Sequence, residues 1–187
     1  MKRCSIIIHS ENGNNYIIGN YFKEELEKHK FDVRYYRVED KDLHILANNN
    51  EMVNQYYEDI LSLPSASPSI IEKSDLIILG SPVRFSNVTA EMKDFMDLSL
   101  PYVENKKFAN KFFACFVSGC SEDNSLKALN SMIFWASELS MKHISFSGNI
   151  KEGLIHLSGN EGKIRPSEIL GHQIEEYASI LQKELYK

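Results

Sequence analysis

The chain has 187 residues, which is the size of one ordinary globular domain, and 43% of them are hydrophobic and 25% charged. These proportions, with only 9 Gly and 5 Pro, exclude disordered and collagen-like classes. The net charge of −5 comes from acidic and basic residues spread along the whole chain, so we expect no nucleic-acid partner.

The lengths of the apolar runs and the pattern of cysteines indicate the cellular location of the protein. The longest aliphatic runs, SIIIH and DLIILG, are far shorter than the ~20 apolar residues of a membrane span, and Met-Lys-Arg leads into a strand pattern rather than a signal peptide core. Cys4, Cys115 and Cys120 form no C-x-x-C pair, and no His stands at metal-ligand spacing. We therefore expect a cytoplasmic protein without a membrane span, a disulfide framework or a metal site.

The first part of the chain alternates strand and helix patterns. Residues 3–9 form a short apolar run rich in β-branched residues, which predicts a buried strand. Apolar residues then recur with helical period over 15–30, and residues 32–38 predict a second strand. The connection that follows is predicted to be an elaborated crossover, with helical spacing over 52–60 and a short helix in PSIIEKS.

The second part of the chain continues the alternation. Residues 75–80 form a continuous apolar run, which suits a parallel strand covered on both faces. We then predict a helix over 88–99, a strand over 112–118, a helix over 125–140, a strand over 143–147, a glycine-rich irregular stretch over 148–166, and a terminal amphipathic helix that includes residues 174–185. This order predicts an α/β fold with five parallel strands, helices on both faces, and one domain over 1–187.

Three loops are predicted to meet at the carboxyl ends of the strands, where open parallel sheets bind their ligands. The first, Ser10-Glu11-Asn12-Gly13-Asn14-Asn15, precedes a helix whose N-terminus attracts an anion such as a phosphate monoester. It is neither a nucleotide P-loop nor a dinucleotide fingerprint, because G-K-[ST] and G-x-G-x-x-G are both absent. Ordinary helix capping is the alternative interpretation of this loop.

The other two loops suit a flat ring. The second, over 81–87, has a rigid Pro and an aromatic side chain, Phe85, at its tip. Its alternative interpretation is a solvent-facing loop whose Phe85 closes the end of the core. The third loop, over 118–125, flanks the same crevice, and its polar residues are placed to line the other edge of a ring. A loop that attracts a phosphate, next to loops that suit a flat ring, favours a mononucleotide as the ligand.

Two reactive side chains near these loops are interpreted as bystanders. Cys120 suggests a nucleophile or a redox thiol, but no His lies close to it in sequence. His9 ends the first strand, where a hydrogen-bonded structural role is commoner than catalysis. No G-x-S-x-G, H-E-x-x-H or spaced carboxylate pair is present, so the catalytic residues stay unassigned and redox chemistry by a bound cofactor is favoured.

Several segments carry a family resemblance. GSPVRFSNVTAEMKDFMD at 80–97 is similar to the G-T-P-T-R-F-G-N loop and following helix of WrbA-type NAD(P)H:quinone oxidoreductases, and LPSASPSIIEKSDLIILG at 63–80 resembles their approach to the third strand. GKIRPSEILGHQIEEYA at 162–178 resembles their G-x-R-Q-P-S tail. The chain thus resembles the flavodoxin-like superfamily and, within it, the WrbA-type and NADPH-dependent FMN reductase family.

The resemblance implies a flavodoxin-like, doubly wound five-stranded sheet, bound FMN, NADH or NADPH as electron donor, a quinone-like acceptor and a homo-oligomer, either a dimer or a tetramer. It places the FMN phosphate on Ser10, Asn12, Gly13, Asn14 and Asn15, and the isoalloxazine on Pro82, Val83, Arg84, Phe85 and Ser86. Ser118, Gly119 and Cys120 complete the predicted site. The alternatives are a non-enzymatic electron carrier like flavodoxin and a binding or regulatory domain without flavin.

Overall fold

A computed structural model describes residues 1–146, 153–157 and 167–187. The strands in these ranges are β1 (Arg3–Ile8), β2 (Asp32–Arg37), β3 (Leu76–Pro82), β4 (Phe112–Gly119), β5 (Lys142–His143) and β6 (Leu154–Leu157). The helices are α1 (Asn14–Lys28), α2 (Leu43–Asn49), α3 (Glu51–Ser62), α4 (Ser69–Glu72), α5 (Ala90–Asp97), α6 (Pro101–Glu104), α7 (Glu122–Glu138) and α8 (Glu168–Leu185).

The strands form one parallel sheet in the order β2-β1-β3-β4-β5, with β6 paired to β4. The chain runs from β1 outward to β2 and then crosses back to place β3 on the other side of β1. This reversal opens a crevice at the carboxyl ends of β1 and β3, which is where ligands bind in doubly wound sheets. The predicted α/β class and parallel sheet are confirmed.

The position beside β4 is shared by two short strands. β5 pairs with Phe112 and Phe113, whereas β6 pairs with the other end of β4, from Phe116 to Gly119. Within the described ranges the sheet thus has a path of five strands, as predicted, and a sixth short strand beside β4; the strand predicted over 143–147 covers only Lys142–His143 of the residues described.

The stretch over 148–166, which is predicted to be irregular, contains the strand β6, so the prediction is wrong at Leu154–Leu157. Residues 147–152 and 158–166 lie outside the described residues. A Cβ on Gly153 would lie 2.5 Å from the backbone oxygen of Cys115 in β4. The glycine thus permits close approach of the two backbones at the start of β6, although in the sequence it suggests irregular structure.

Each face of the sheet carries its own core. Helices α1 and α8 cover one face, where Phe22 and Tyr177 are fully buried. Helices α5 and α7 cover the other, where Met92 and Met132 are fully buried. Side chains alternate between the two faces along each strand, so both faces of the central strands are apolar, as their continuous hydrophobic runs predict. The prediction of helices on both faces is confirmed.

A third, smaller cluster lies between α2 and α3, where Leu43, Val53 and Ile60 are buried. Helix α2 is absent from the predicted elements. Tyr56 of α3 projects from this cluster against Gly13, at the start of α1. The elaborated crossover therefore supports the loop that follows β1. Among the described residues, no helix combines the length and apolar character needed to cross a membrane.

Candidate functional site

The structure brings the three predicted loops together. They follow β1, β3 and β4, which are adjacent in the sheet, so all three lie at one edge. The amide of Val83 donates to the carbonyl of Ser118 at 2.9 Å, which joins the second loop to the third. The guanidinium of Arg84 donates to the carboxylate of Glu11, which joins the second loop to the first.

The first loop forms a helix N-terminus that is open to an anion. Gly13 caps α1 with a left-handed φ of 86°, and a Cβ at this position would lie 2.2 Å from Cδ2 of Tyr56. Only glycine fits both the backbone conformation and this close contact. The hydroxyl of Ser10 accepts a hydrogen bond from the amide of Tyr16 at 3.2 Å. The first turn of α1 has no acidic residue, so its backbone N–H groups and dipole favour a negative ligand.

Asn15 adds an unusual polar group to this loop. Its side chain lies in the first turn of α1 and is only 1% exposed, yet neither its amide nitrogen nor its carbonyl oxygen has a hydrogen-bond partner within the described ranges. Leaving such a group unpaired costs about 1–3 kcal/mol. Proteins satisfy most buried polar atoms, so this unpaired amide at a helix N-terminus is an unusual feature of the loop.

The second loop is a tight turn with an exposed aromatic ring. Arg84 and Asn87 exchange two backbone hydrogen bonds of 2.9 Å, and the two residues between them, Phe85 and Ser86, have φ values of 48° and 64°. Left-handed backbone at two consecutive non-glycine residues is strained, and such strain is concentrated at functional sites. The Phe85 side chain is fully exposed, so the loop faces solvent, as its alternative interpretation has it, but Phe85 does not close the end of the core.

The base of this turn is held rigidly. Ser81 is fully buried, and its hydroxyl accepts a hydrogen bond from the amide of Thr89 at 3.2 Å. Thr89 in turn caps α5 by accepting from the amide of Met92. Pro82 is buried at the end of β3. These contacts fix both ends of the turn, while Phe85 projects from it.

The third loop approaches the second closely. A Cβ on Gly119 would lie 2.5 Å from Oγ of Ser125 and 3.0 Å from Cγ2 of Val83, so glycine permits this approach. The hydroxyl of Ser86 donates to Oδ1 of Asn124 at 2.8 Å, which adds a second link between the loops. Ser118 is buried and Cys120 is exposed. All the predicted site residues therefore lie in three neighbouring loops at one edge of the sheet.

His156 is a neighbour of the site that the sequence did not reveal. It lies opposite Ser118 in the register between β6 and β4, and residues in register point to the same face of a sheet. Burial lowers the pKa of its imidazole below the usual value of 6.5. No sequence signal marks this residue, because its position depends on the strand β6.

A second polar cluster lies on the α5 side of the sheet. His9 is 2% exposed, and its Nε2 lies 3.1 Å from Oδ2 of Asp40, in agreement with the interpretation of His9 as a hydrogen-bonded residue. Nδ1 of His9 lies 3.8 Å from Oε2 of Glu91. Burial raises the pKa of Asp40, but hydrogen bonds from His9 and from the amide of Asp42 outweigh it and hold that pKa below its usual value. The three residues are remote in sequence, so no motif predicts the cluster.

Comparison with solved structures identifies the class of fold. The chain superposes over 100% of its length on 98% of a flavodoxin, WrbA-like protein from Agrobacterium tumefaciens, with a TM-score of 0.70 and 14% identity. It covers 99% of flavodoxin 2 from Bacillus cereus with a TM-score of 0.65 and 21% identity. The protein therefore has a flavodoxin-like fold, as the resemblance implies.

The family follows from the sequence comparison. The family model described as NADPH-dependent FMN reductase matches residues 6–151, and the chain belongs to this family. An NAD(P)H dehydrogenase (quinone) of Deinococcus radiodurans is 24% identical over 116 residues, covering 62% of this chain and 58% of that protein. An enzyme of the same name from Archaeoglobus fulgidus is 26% identical over 118 residues, covering 63% of this chain and 62% of that protein. The matches thus span about three-fifths of these relatives.

Proposed function

We propose that the chain binds FMN in the crevice between the three loops and acts as an oxidoreductase that takes a hydride from NADH or NADPH and passes electrons to a quinone or a similar acceptor. The observation that carries this proposal is the exposed Phe85 on its strained turn, tied through Arg84 to the anion-binding first loop. A phosphate site beside an aromatic platform matches the two ends of FMN.

The first loop holds the phosphate in this proposal. Ser10, Asn12, Gly13, Asn14 and Asn15 supply it, mainly through backbone N–H groups at the start of α1. The unpaired buried amide of Asn15 supports the assignment, because a phosphate oxygen satisfies its nitrogen. The carboxylate of Glu11 opposes an anion, and its ion pair with Arg84 offsets that repulsion.

The second and third loops hold the isoalloxazine. Pro82, Val83, Arg84, Phe85 and Ser86 form one wall, and Ser118, Gly119 and Cys120 line the other edge. The residues present fit the group, since the turn offers an exposed aromatic face and hydrogen bonds hold its base against the third loop. When bound, FMN supplies the hydride chemistry, and the chain supplies binding, orientation and electrostatics. No side chain is assigned as a strong acid or base.

The acceptor and the assembly are also part of the proposal. The names of the relatives support a quinone-like acceptor. A homo-oligomer, as a dimer or tetramer, follows from the family resemblance, and light scattering of the purified chain tests it. A cytoplasmic location rests on the cysteine pattern and composition alone.

The experiment is a visible spectrum of the chain after reconstitution with FMN and desalting, recorded without oxygen before and after adding NADH or NADPH. We expect a retained flavin band that bleaches with one of the two donors. A retained band that does not bleach would favour an electron carrier like flavodoxin. Loss of the flavin on desalting would overturn the redox proposal in favour of a binding domain without flavin.

A further inference from the structure

The His9 ring has one nitrogen engaged and one unpaired. An ionised carboxylate only accepts hydrogen bonds, so the contact of 3.1 Å with Asp40 makes Nε2 of His9 the donor. In the neutral ring, Nδ1 then carries a lone pair. Nδ1 is buried and has no hydrogen-bond partner in the parts of the chain that the structure describes. The imidazole therefore presents an unsatisfied donor atom for a cation, with Asp40 fixing its orientation.

Glu91 faces this lone pair at a distance suited to a shared ion. Its Oε2 lies 3.8 Å from Nδ1 of His9, which is too long for a hydrogen bond. A Zn²⁺ ion placed between these two atoms would make a bond of about 2.1 Å to each of them, with an obtuse N–Zn–O angle. One ligand atom each from His9, Asp40 and Glu91 lie within 4.8 Å of one another.

The surroundings favour a positive ion. A pocket of about 350 Å³ opens beside the cluster. Its charged lining residues are five carboxylates and one ammonium, from Glu39, Asp40, Asp42, Glu91, Asp94 and Lys41. The excess of negative charge attracts a cation, and the pocket has room for water molecules that complete its coordination.

We propose that Nδ1 of His9 and the Glu91 carboxylate bind a divalent transition-metal ion of the Zn²⁺ type, while Asp40 orients the His9 ring by accepting the hydrogen bond from Nε2. Mg²⁺ and Ca²⁺ prefer oxygen ligands alone, whereas an imidazole with carboxylates suits a first-row transition metal. His9 follows β1 and Glu91 lies in the first turn of α5, so the ion ties these two elements together, and the hydrogen bond from His9 to Asp40 adds the segment after β2. Since Ser10 is next to His9, the ion also steadies the start of the first loop.

The test is calorimetric titration of Zn²⁺ into the chelator-treated chain, in a Cys120→Ser background that removes the exposed thiol. We expect one site per chain and a Kd raised about tenfold or more by Glu91→Gln, since that variant removes a ligand. Asp42→Asn is the matched control, because it removes one negative charge from the pocket without removing a ligand, and we expect its Kd to stay within about threefold.

Two further measurements test whether the variants are folded and whether the site is specific for Zn²⁺. Thermal unfolding of each variant without metal shows whether it is folded, and the same concentration of Zn²⁺ should raise the unfolding temperature of the Cys120→Ser chain by more than that of its Glu91→Gln form. Mg²⁺ at the same concentration should have little effect. The proposal is overturned if Zn²⁺ does not bind, or if Asp42→Asn and Glu91→Gln weaken it equally, because the pocket would then act only as a diffuse negative surface.

Discussion

Arg84 donates a hydrogen bond to the carboxylate of Glu11, and this ion pair joins the turn that carries Phe85 to the loop that precedes α1. The Glu11 side chain is 20% exposed and that of Arg84 is 53% exposed, so the pair is partly solvated. Glu11 is the one acidic residue of the first loop. Its charge opposes a bound phosphate unless the guanidinium compensates it.

The first prediction concerns this compensation. In Arg84→Gln, we expect the Kd for FMN to rise about three- to tenfold at low salt, which corresponds to about 1 kcal/mol, because the Glu11 carboxylate then repels the phosphate. The rise should shrink at high salt, where partly exposed charges are screened. Quenching of flavin fluorescence measures the Kd for FMN at low and at high salt. Glu11→Gln combined with Arg84→Gln should recover most of the loss, and no recovery would show that Arg84 acts by another route.

The second prediction concerns Phe85. In Phe85→Ala, we expect FMN affinity to fall about two- to tenfold, since stacking of aromatic rings contributes about 0.5–1.5 kcal/mol. The unfolding temperature should not change, because the side chain is fully exposed and loses no packing. Phe134→Ala is the matched control, since Phe134 is also an exposed phenylalanine but lies on α7. Equal FMN affinity in the two variants would show that Phe85 does not contact FMN.

The third prediction concerns Gly13. In Gly13→Ala, we expect the free energy of unfolding to fall by about 2 kcal/mol, from a left-handed backbone and from contact with the Tyr56 ring. FMN affinity should fall as well, while riboflavin, which lacks the phosphate, should be affected less. Urea denaturation and fluorescence titration measure the two effects.

Gly171→Ala provides the control for that substitution. Gly171 lies in α8 with nothing within 4 Å of an added Cβ, so the alanine should stabilise the chain by about 0.5–1 kcal/mol through helix propensity. FMN affinity should stay unchanged. Destabilisation by both alanines would mean that the effect at Gly13 is not specific to its loop.

Much of the fold could be predicted because its signals are local. The β-branched runs in β1 and β3 and the helical spacing in α1 are visible within short windows, and the rule for parallel sheets then places the loops at one edge. The three predicted loops do meet, so the candidate crevice was accessible from the sequence. Its assignment to FMN depended on family resemblance.

The remainder depends on contacts between distant residues. β6 has four residues beside a glycine, too short to show a period, and it forms only by pairing with β4. The cluster of His9, Asp40 and Glu91 is assembled by three separate elements, so its spacing in the chain has no pattern. The strain at Ser86 could not be predicted either, because a left-handed φ is expected at a glycine and not at a serine.

The lowered pKa of His156 sets the sign of a pH effect on stability. Burial penalises the charged imidazole, so its pKa in the folded chain lies below the usual 6.5. Between that lowered value and 6.5 the unfolded chain binds more protons than the folded chain, and the free energy of unfolding rises with pH. The contribution is fully present above the unfolded pKa and is lost as pH falls through the folded pKa.

The fourth prediction therefore compares His156→Gln with the unchanged chain by urea denaturation at several pH values between about pH 5 and about pH 8. As pH falls, the unchanged chain should lose stability relative to the variant, because glutamine acquires no buried charge. His44→Gln is the control, because His44 is exposed on α2 and its replacement removes an imidazole without removing a buried side chain. If the His156→Gln and unchanged curves stay parallel throughout, burial of His156 does not influence its protonation, and its placement beside Ser118 would have to be revised.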